Sequence, residues 1–284
     1  MKSNRIPVQK TISHIKESLK TYYPDSEISG FIRIIIEYIT GRSYHLLLTD
    51  NKEFTDDELK QLEGILRRLK EYEPIQYITE KTEFFGLPFC VNKNVLIPRP
   101  ETEELVELIL NDNKGSDLKV LDIGTGSGAI AIALAKHLKN AKVYALDISF
   151  MALDVAVLNS KINSVDITFK RTDILKDYPI EEFDIIVSNP PYIMEDEKAL
   201  MEQNVLAYEP HSALFVPNDD ALLFYNRIAD VASDILKPNG KLYFEINQAK
   251  GNEVMKMLEN KGYLNTNVFQ DLNKNDRIIR AEKL

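Results

Sequence analysis

The chain has 284 residues, 44% hydrophobic and 28% charged, with a formal net charge of −9, enough for one large domain or two of ordinary globular composition. Its acidity makes it a poor default binder of nucleic-acid backbone, residues 1–10 lack the apolar core of a signal peptide, and the longest early apolar run, residues 32–39, is broken by Arg33 and Glu37, far short of a membrane span. One cysteine, Cys90, excludes an intramolecular disulfide and fits a reducing cytoplasm, and the scattered histidines give no zinc spacing.

Ile12, Ile15 and Leu19 recur at helical spacing, as do Ile28, Phe31, Ile35, Tyr38 and Ile39. Thr55 and Glu58 make a capping-box pattern ahead of Leu59, Leu62, Ile65, Leu66 and Leu69, in a helix expected to end before Pro74. Residues 1–75 are therefore expected to form a small helical bundle domain. Its charges nearly balance, so it is not a basic nucleic-acid module. From Thr82 to Ile97, β-rich runs broken by Gly86-Leu87-Pro88 and Asn92-Lys93-Asn94 suggest a hairpin, and residues 76–100 form the expected β-hairpin linker between domains. Pro98-Arg99-Pro100-Glu101-Thr102-Glu103 then leads into a helix through Leu105, Leu108 and Ile109.

From Leu118 onward strands and helices alternate. Strands are expected at 118–123, 142–147, 165–170 and 183–188, with helices at 129–138 and 151–162. A helix over 220–236, stopped by Pro238-Asn239-Gly240, precedes a strand at 241–246, and 266–269 with 277–281 form an antiparallel hairpin. This predicts an α/β fold over residues 101–284: a doubly wound, Rossmann-like sheet with an antiparallel C-terminal strand.

Two loops of this domain carry chemistry. Phe183 to Ser188 reads as a strand buried on both faces, which stops at Asn189-Pro190-Pro191-Tyr192. The prolines fix their own φ, and Pro190 forces Asn189 into an extended conformation, so Asn189 is held stiffly at a strand's C-terminal end. Its side-chain oxygen and the Pro190 carbonyl are acceptors with no proline N–H to compete, an arrangement suited to an NH2 group whose flat face packs on Tyr192. Asn-Pro pairs also start ordinary turns.

The second loop, Asp122-Ile123-Gly124-Thr125-Gly126-Ser127-Gly128-Ala129, lies between the first strand and its helix. Gly124, Gly126 and Ala129 fit a dinucleotide fingerprint. Asp122 argues the other way, since a carboxylate there repels a pyrophosphate but suits a cofactor carrying a sulfonium and an ammonium. Asp147, at the end of the second strand, is placed to grip a ribose diol, and Asp173, after the third, to accept from an adenine amino group. Three acids at strand ends favour S-adenosylmethionine.

Asp122-x-Gly124-x-Gly126-x-Gly128 together with Asn189-Pro190-Pro191-Tyr192 resembles methyltransferases acting on adenine amines or glutamine amides. Gln76-Tyr77-Ile78, Phe84-Phe85-Gly86, residues 96–103, Tyr208-Glu209-Pro210 and Asp276-Arg277 closely resemble the release factor glutamine methyltransferases (PrmC/HemK family), from about residue 70 to the end. That resemblance implies cofactor binding by Gly124, Thr125, Gly126, Ser127, Gly128 and Asp147, with Asp173 and Ile174 beside the adenine and Asn189 also near the cofactor. It implies substrate binding by Asn189, Pro190, Pro191 and Tyr192, with Asn189, Pro190 and Tyr192 catalytic and no metal. The implied reaction is methylation of the glutamine in the Gly-Gly-Gln motif of class I peptide-chain release factors, yielding S-adenosylhomocysteine, in the cytoplasm, without membrane or direct nucleic-acid binding. A ribosomal-protein glutamine or a DNA adenine amine is the alternative acceptor. Thr172 stands where the family often has glycine, and compressed spacing leaves Gln248 without a clear role.

Overall fold

The computed structural model describes residues 5–50 and 52–284 and divides into two compact units. The first comprises the described residues up to Glu80 together with Gln203–Tyr208; the second comprises Lys81–Glu202 and Glu209–Leu284. No helix of the described residues is long and apolar enough to cross a membrane.

In the first unit β1 (Ile6–Pro7) pairs antiparallel with β2 (Glu53–Phe54) beside α1 (Val8–Leu19), α2 (Asp25–Thr40), α3 (Tyr44–Thr49), α4 (Asp56–Lys70) and α5 (Ile75–Thr79). Its core is the apolar stripes read from the sequence: Ile15, Leu19, Ile35, Leu62 and Leu69 are all fully buried. The capping box forms as expected. The Glu58 N–H donates to Thr55 Oγ1 at 3.3 Å and the Thr55 N–H to Glu58 Oε2 at 2.7 Å, satisfying two donors that the helix start would otherwise orphan.

The second unit opens with the hairpin β3 (Lys81–Phe84) and β4 (Leu87–Cys90). The turn falls at Phe85-Gly86, both at positive φ, so Leu87 and Pro88 belong to the strand and Asn92-Lys93-Asn94 lies beyond the hairpin. Asn159 anchors it, accepting from the Cys90 N–H at 2.7 Å and donating to the Cys90 carbonyl at 2.9 Å.

There follow α6 (Pro100–Asp112), β5 (Lys119–Ile123), α7 (Ala129–His137), β6 (Lys142–Asp147), α8 (Phe150–Ile162), β7 (Ile167–Arg171), β8 (Phe183–Ser188), β9 (Ile193–Met194), α9 (Gln203–Tyr208, counted with the first unit), β10 (Phe215–Val216), α10 (Leu223–Ile235), β11 (Leu236–Glu245), α11 (Gly251–Asn260), β12 (Leu264–Gln270) and β13 (Asp276–Glu282). Seven strands form one sheet in the order β12-β13-β11-β8-β5-β6-β7, with β13 antiparallel to its neighbours.

Several element bounds differ from the sequence expectation by a few residues, and one difference has a clear cause. The helix expected through Leu236 ends at Ile235, because Leu236 already pairs with Phe183; the strand then bulges over Pro238-Asn239-Gly240 and resumes at Lys241 opposite Ile185. Helix α11 is an element beyond those expected from the sequence: Val254 and Leu258 are buried in the core, and Met255 and Met257 pack against it.

The placement that matters is central. From β5 the chain runs to β6 and β7 on one side and reaches β8 on the other, so the strand order reverses between β5 and β8. Open α/β sheets bind ligands at the carboxyl ends of strands at such a switch point. Ile123 pairs with Ser188 there, and the Ser188 hydroxyl donates to the Ile123 carbonyl at 2.6 Å. The glycine loop and the Asn189 loop therefore leave the sheet side by side.

Candidate active site

A cavity of about 380 Å3 opens over these strand ends, within the second unit and in the size range of small-ligand sites. Gly124, Gly126, Asp147, Asp173, Ile174, Asn189, Pro190 and Pro191 line it. Thr125, Ser127, Gly128 and Tyr192 do not: the first two are buried beneath the loop, and Tyr192 packs against the main core.

The glycine loop is held by the end of β6. The Gly124 and Thr125 N–H groups donate to the Leu146 carbonyl at 2.8 and 2.9 Å, and the Gly126 N–H donates to Asp147 Oδ2 at 2.8 Å. Asp147 Oδ1 accepts from the Ser149 N–H, also at 2.8 Å. Each carboxylate oxygen keeps lone-pair capacity for a ligand hydroxyl. Burial pushes the Asp147 pKa up, against the three backbone N–H groups that hold it down.

The glycines divide by task. Gly126, at φ +55°, faces open space at the cavity, whereas a Cβ on Gly128, at φ +83°, would stand 3.0 Å from Ile132 Cδ1 and 3.2 Å from Ala156 Cβ. Gly128 thus lets α7 and α8 approach each other and touches no ligand space.

Asp122, read from the sequence as facing a cationic cofactor, is fully buried and does not line the cavity. Its Oδ2 accepts from the Thr125 hydroxyl at 2.6 Å, while Oδ1 is buried with no hydrogen-bond partner among the described residues. Its immediate task is to hold the loop from below. Desolvation raises its pKa to about 7.

Asp173 sits at the rim, ion-paired with Lys176 at 2.8 Å, which pulls its pKa down. Ile174 is buried, and the unanticipated neighbours Ile148, Leu175, Phe224 and Ile228 add apolar wall. Thr172 also lines the cavity, and its buried hydroxyl has no partner among the described residues. The stretch after the hairpin enters as well, through Asn94, Val95 and Leu96. Gln248 is exposed and outside the lining.

None of the described lining residues is lysine or arginine, while two are aspartates. Such a wall disfavours a pyrophosphate and suits a ligand with cationic groups.

Asn189 closes the cavity at β8. Its Nδ2 donates to Thr102 Oγ1 at 3.4 Å, and the Thr102 hydroxyl donates to Glu245 Oε2 at 2.6 Å. The Tyr192 hydroxyl donates to Glu245 Oε1 at 3.3 Å. Glu245, at the end of β11, is almost fully buried; desolvation raises its pKa, opposed by Thr102, Arg277 and Tyr192. Alongside, Arg99 pairs with the buried Glu209 at 2.6 Å, tying the residues before α6 to the segment entering Pro210, itself a lining residue.

Comparison with known proteins fits this geometry. Residues 101–211 match the family model "Methyltransferase small domain" and residues 11–79 match "PrmC N-terminal domain". A release factor glutamine methyltransferase of Flavobacterium psychrophilum is 49% identical over 93% of this chain and 95% of its own length. The chain belongs to the release factor glutamine methyltransferase family. Another member, from Bacteroides thetaiotaomicron, is 43% identical over 97% of this chain and 100% of its own. The fold alone is shared more widely: a crystal structure of a methyltransferase from Pyrococcus furiosus superposes with a TM-score of 0.53 at 19% identity, covering 78% of this chain and 98% of that one.

Proposed function

We propose that the protein methylates the side-chain amide nitrogen of the glutamine in the Gly-Gly-Gln motif of class I release factors, using S-adenosylmethionine. The observation that carries the reading is a cavity with two aspartates and no basic lining residue, closed by Asn189-Pro190-Pro191 at the sheet's switch point. Family membership narrows the acceptor to glutamine and disfavours DNA adenine or a ribosomal protein.

The residues present fit the cofactor. Asp147 offers free lone pairs to a ribose diol, Ile148, Ile174 and Leu175 offer apolar surface to a base, and Thr172 has an unspent hydroxyl. Gly124 and Gly126 permit close approach to backbone. When bound, S-adenosylmethionine supplies an electrophilic methyl group whose departure leaves a neutral thioether.

The chain's own part is positioning. An amide nitrogen is a weak nucleophile, so holding it in line at near-attack distance supplies most of the acceleration. Asn189 Oδ1 and the Pro190 carbonyl accept its two N–H bonds and withdraw positive charge as the nitrogen attacks. One of those protons is then released to solvent, which leaves a neutral N-methyl amide. The apolar wall keeps water from competing for the methyl group.

The first unit carries none of the cavity lining. We assign it recognition of the protein substrate, since one glutamine side chain offers little of the ~800 Å2 that protein recognition typically buries on each partner. A release factor substrate, together with the single Cys90, supports a cytoplasmic location. In the test, removal of residues 1–75 leaves cofactor affinity intact, raises the concentration of intact release factor needed, and affects a short Gly-Gly-Gln peptide far less. Equal efficiency on the intact factor by a folded truncation would give the first unit another purpose.

A further inference from the structure

Asn189 is useful to an incoming NH2 group only if its oxygen, not its own NH2, faces the cavity. The two ends of a carboxamide are nearly alike in shape, so something must choose between them.

The choice is made behind the loop. The Thr102 hydroxyl has one proton and spends it on Glu245 Oε2, at 2.6 Å. Its oxygen is then only an acceptor, so the atom it meets on Asn189 must be the donor, Nδ2, at 3.4 Å. Asn189 Oδ1 has no protein partner among the described residues and is left for a ligand. Glu245 enforces the direction because both its oxygens accept, one from Thr102 and the other from Tyr192 at 3.3 Å. Arg277, close enough to lower the Glu245 pKa, favours the carboxylate that this requires. Burying a carboxylate so completely is costly unless it is paired and hydrogen-bonded, and here its bonds converge on the Asn189-Pro190-Pro191-Tyr192 loop.

We propose that Glu245, acting through Thr102, is a positioning residue that fixes the Asn189 carboxamide with Oδ1 toward the cavity and Nδ2 away from it. The proposal deepens the glutamine-methylation reading and rests on it for its catalytic consequence, though the side-chain orientation itself does not.

The test compares Thr102→Val, Thr102→Ser and Glu245→Gln in the full chain. Valine keeps the shape and deletes the hydroxyl; serine restores it; glutamine can present an NH2 to Thr102 and reverse the direction of the chain. Two readouts are taken. The first is the pair of Asn189 side-chain NH2 resonances in 15N spectra of the free protein, assigned by loss in Asn189→Ala. The second is kcat and KM for methyl transfer to a release factor, with cofactor affinity measured by calorimetry.

Thr102→Val and Glu245→Gln are expected to shift the Asn189 resonances and to lower kcat about 10- to 100-fold, by analogy with the loss of residues that orient metal ligands. Cofactor affinity stays within about twofold, and Thr102→Ser recovers both the resonances and the turnover, as expected when an orienting hydrogen bond is restored. Unmoved resonances with undiminished kcat in Thr102→Val overturn the proposal; if valine does not fold, the same result in Glu245→Gln does so. A wild-type protein inactive on release factors overturns the functional reading instead, and the resonances still decide the orientation.

Discussion

Asp147→Asn puts the most weight on the geometry at the end of β6. Each Asp147 oxygen accepts a backbone N–H at 2.8 Å, one from Gly126 in the glycine loop and one from Ser149 at the start of α8. An asparagine matches only one of them, because its NH2 confronts a second N–H as donor against donor. Losing one such part-buried bond costs ~0.5–1.5 kcal/mol of stability. The ribose diol loses a charge-assisted acceptor as well, worth ~1.5–3 kcal/mol, so S-adenosylmethionine should bind about 10- to 150-fold more weakly. Calorimetric titration with S-adenosylhomocysteine and a thermal melt measure the two losses separately. Asp173→Asn is the control: Asp173 sits at the rim with its charge already met by Lys176, so its loss should be several-fold smaller. Unchanged affinity in folded Asp147→Asn, or equal losses in the two variants, would refute the assignment.

Asn189→Ala should keep most cofactor affinity and lose at least ~100-fold in methyl transfer, as when one oriented polar group is removed from a reaction site; full turnover would remove Asn189 from the chemistry. Gly128→Ala should destabilise the fold by ~2–3 kcal/mol in a denaturant titration, through its positive φ and the crowding against Ile132 and Ala156, without removing any cavity contact; an unchanged midpoint would contradict the packing role. Burial pushes the Asp122 carboxyl up to about 7 in the folded chain, so its contribution to stability is present at low pH and lost as pH rises from about 4 through 7. Relative to wild type, Asp122→Asn should therefore gain stability between pH 5 and pH 8, by a few kcal/mol at most; melting curves that track in parallel across that range would refute the buried-carboxylate account.

Much of this site could be read from single stretches of sequence, because each depends on local rules. A β-branched run ended by two prolines places Asn189 at a strand end, and a glycine turn ahead of the apolar α7 marks the switch-point loop. Local patterns could not tell which way each side chain faces. Asp122, Asp147 and Asp173 all stand near strand ends, yet the first is buried under the loop, the second both braces the loop and faces the cavity, and the third sits at the rim. The roles of Thr102 and Glu245 are not legible locally for another reason. Thr102 reads as a helix start and Glu245 as the polar end of an apolar strand, and their partnership spans 143 residues. Only the packing of α6 beside β11 brings them together behind Asn189.

The central claim is tested most directly by incubating the full-length protein with methyl-labelled S-adenosylmethionine and a purified class I release factor, then mapping the label by mass spectrometry. The account predicts a single added methyl group on the side-chain nitrogen of the Gly-Gly-Gln glutamine, absent with Asn189→Ala. Label on another residue, or a release factor left unmodified while a nucleic acid or ribosomal protein is methylated, would contradict it.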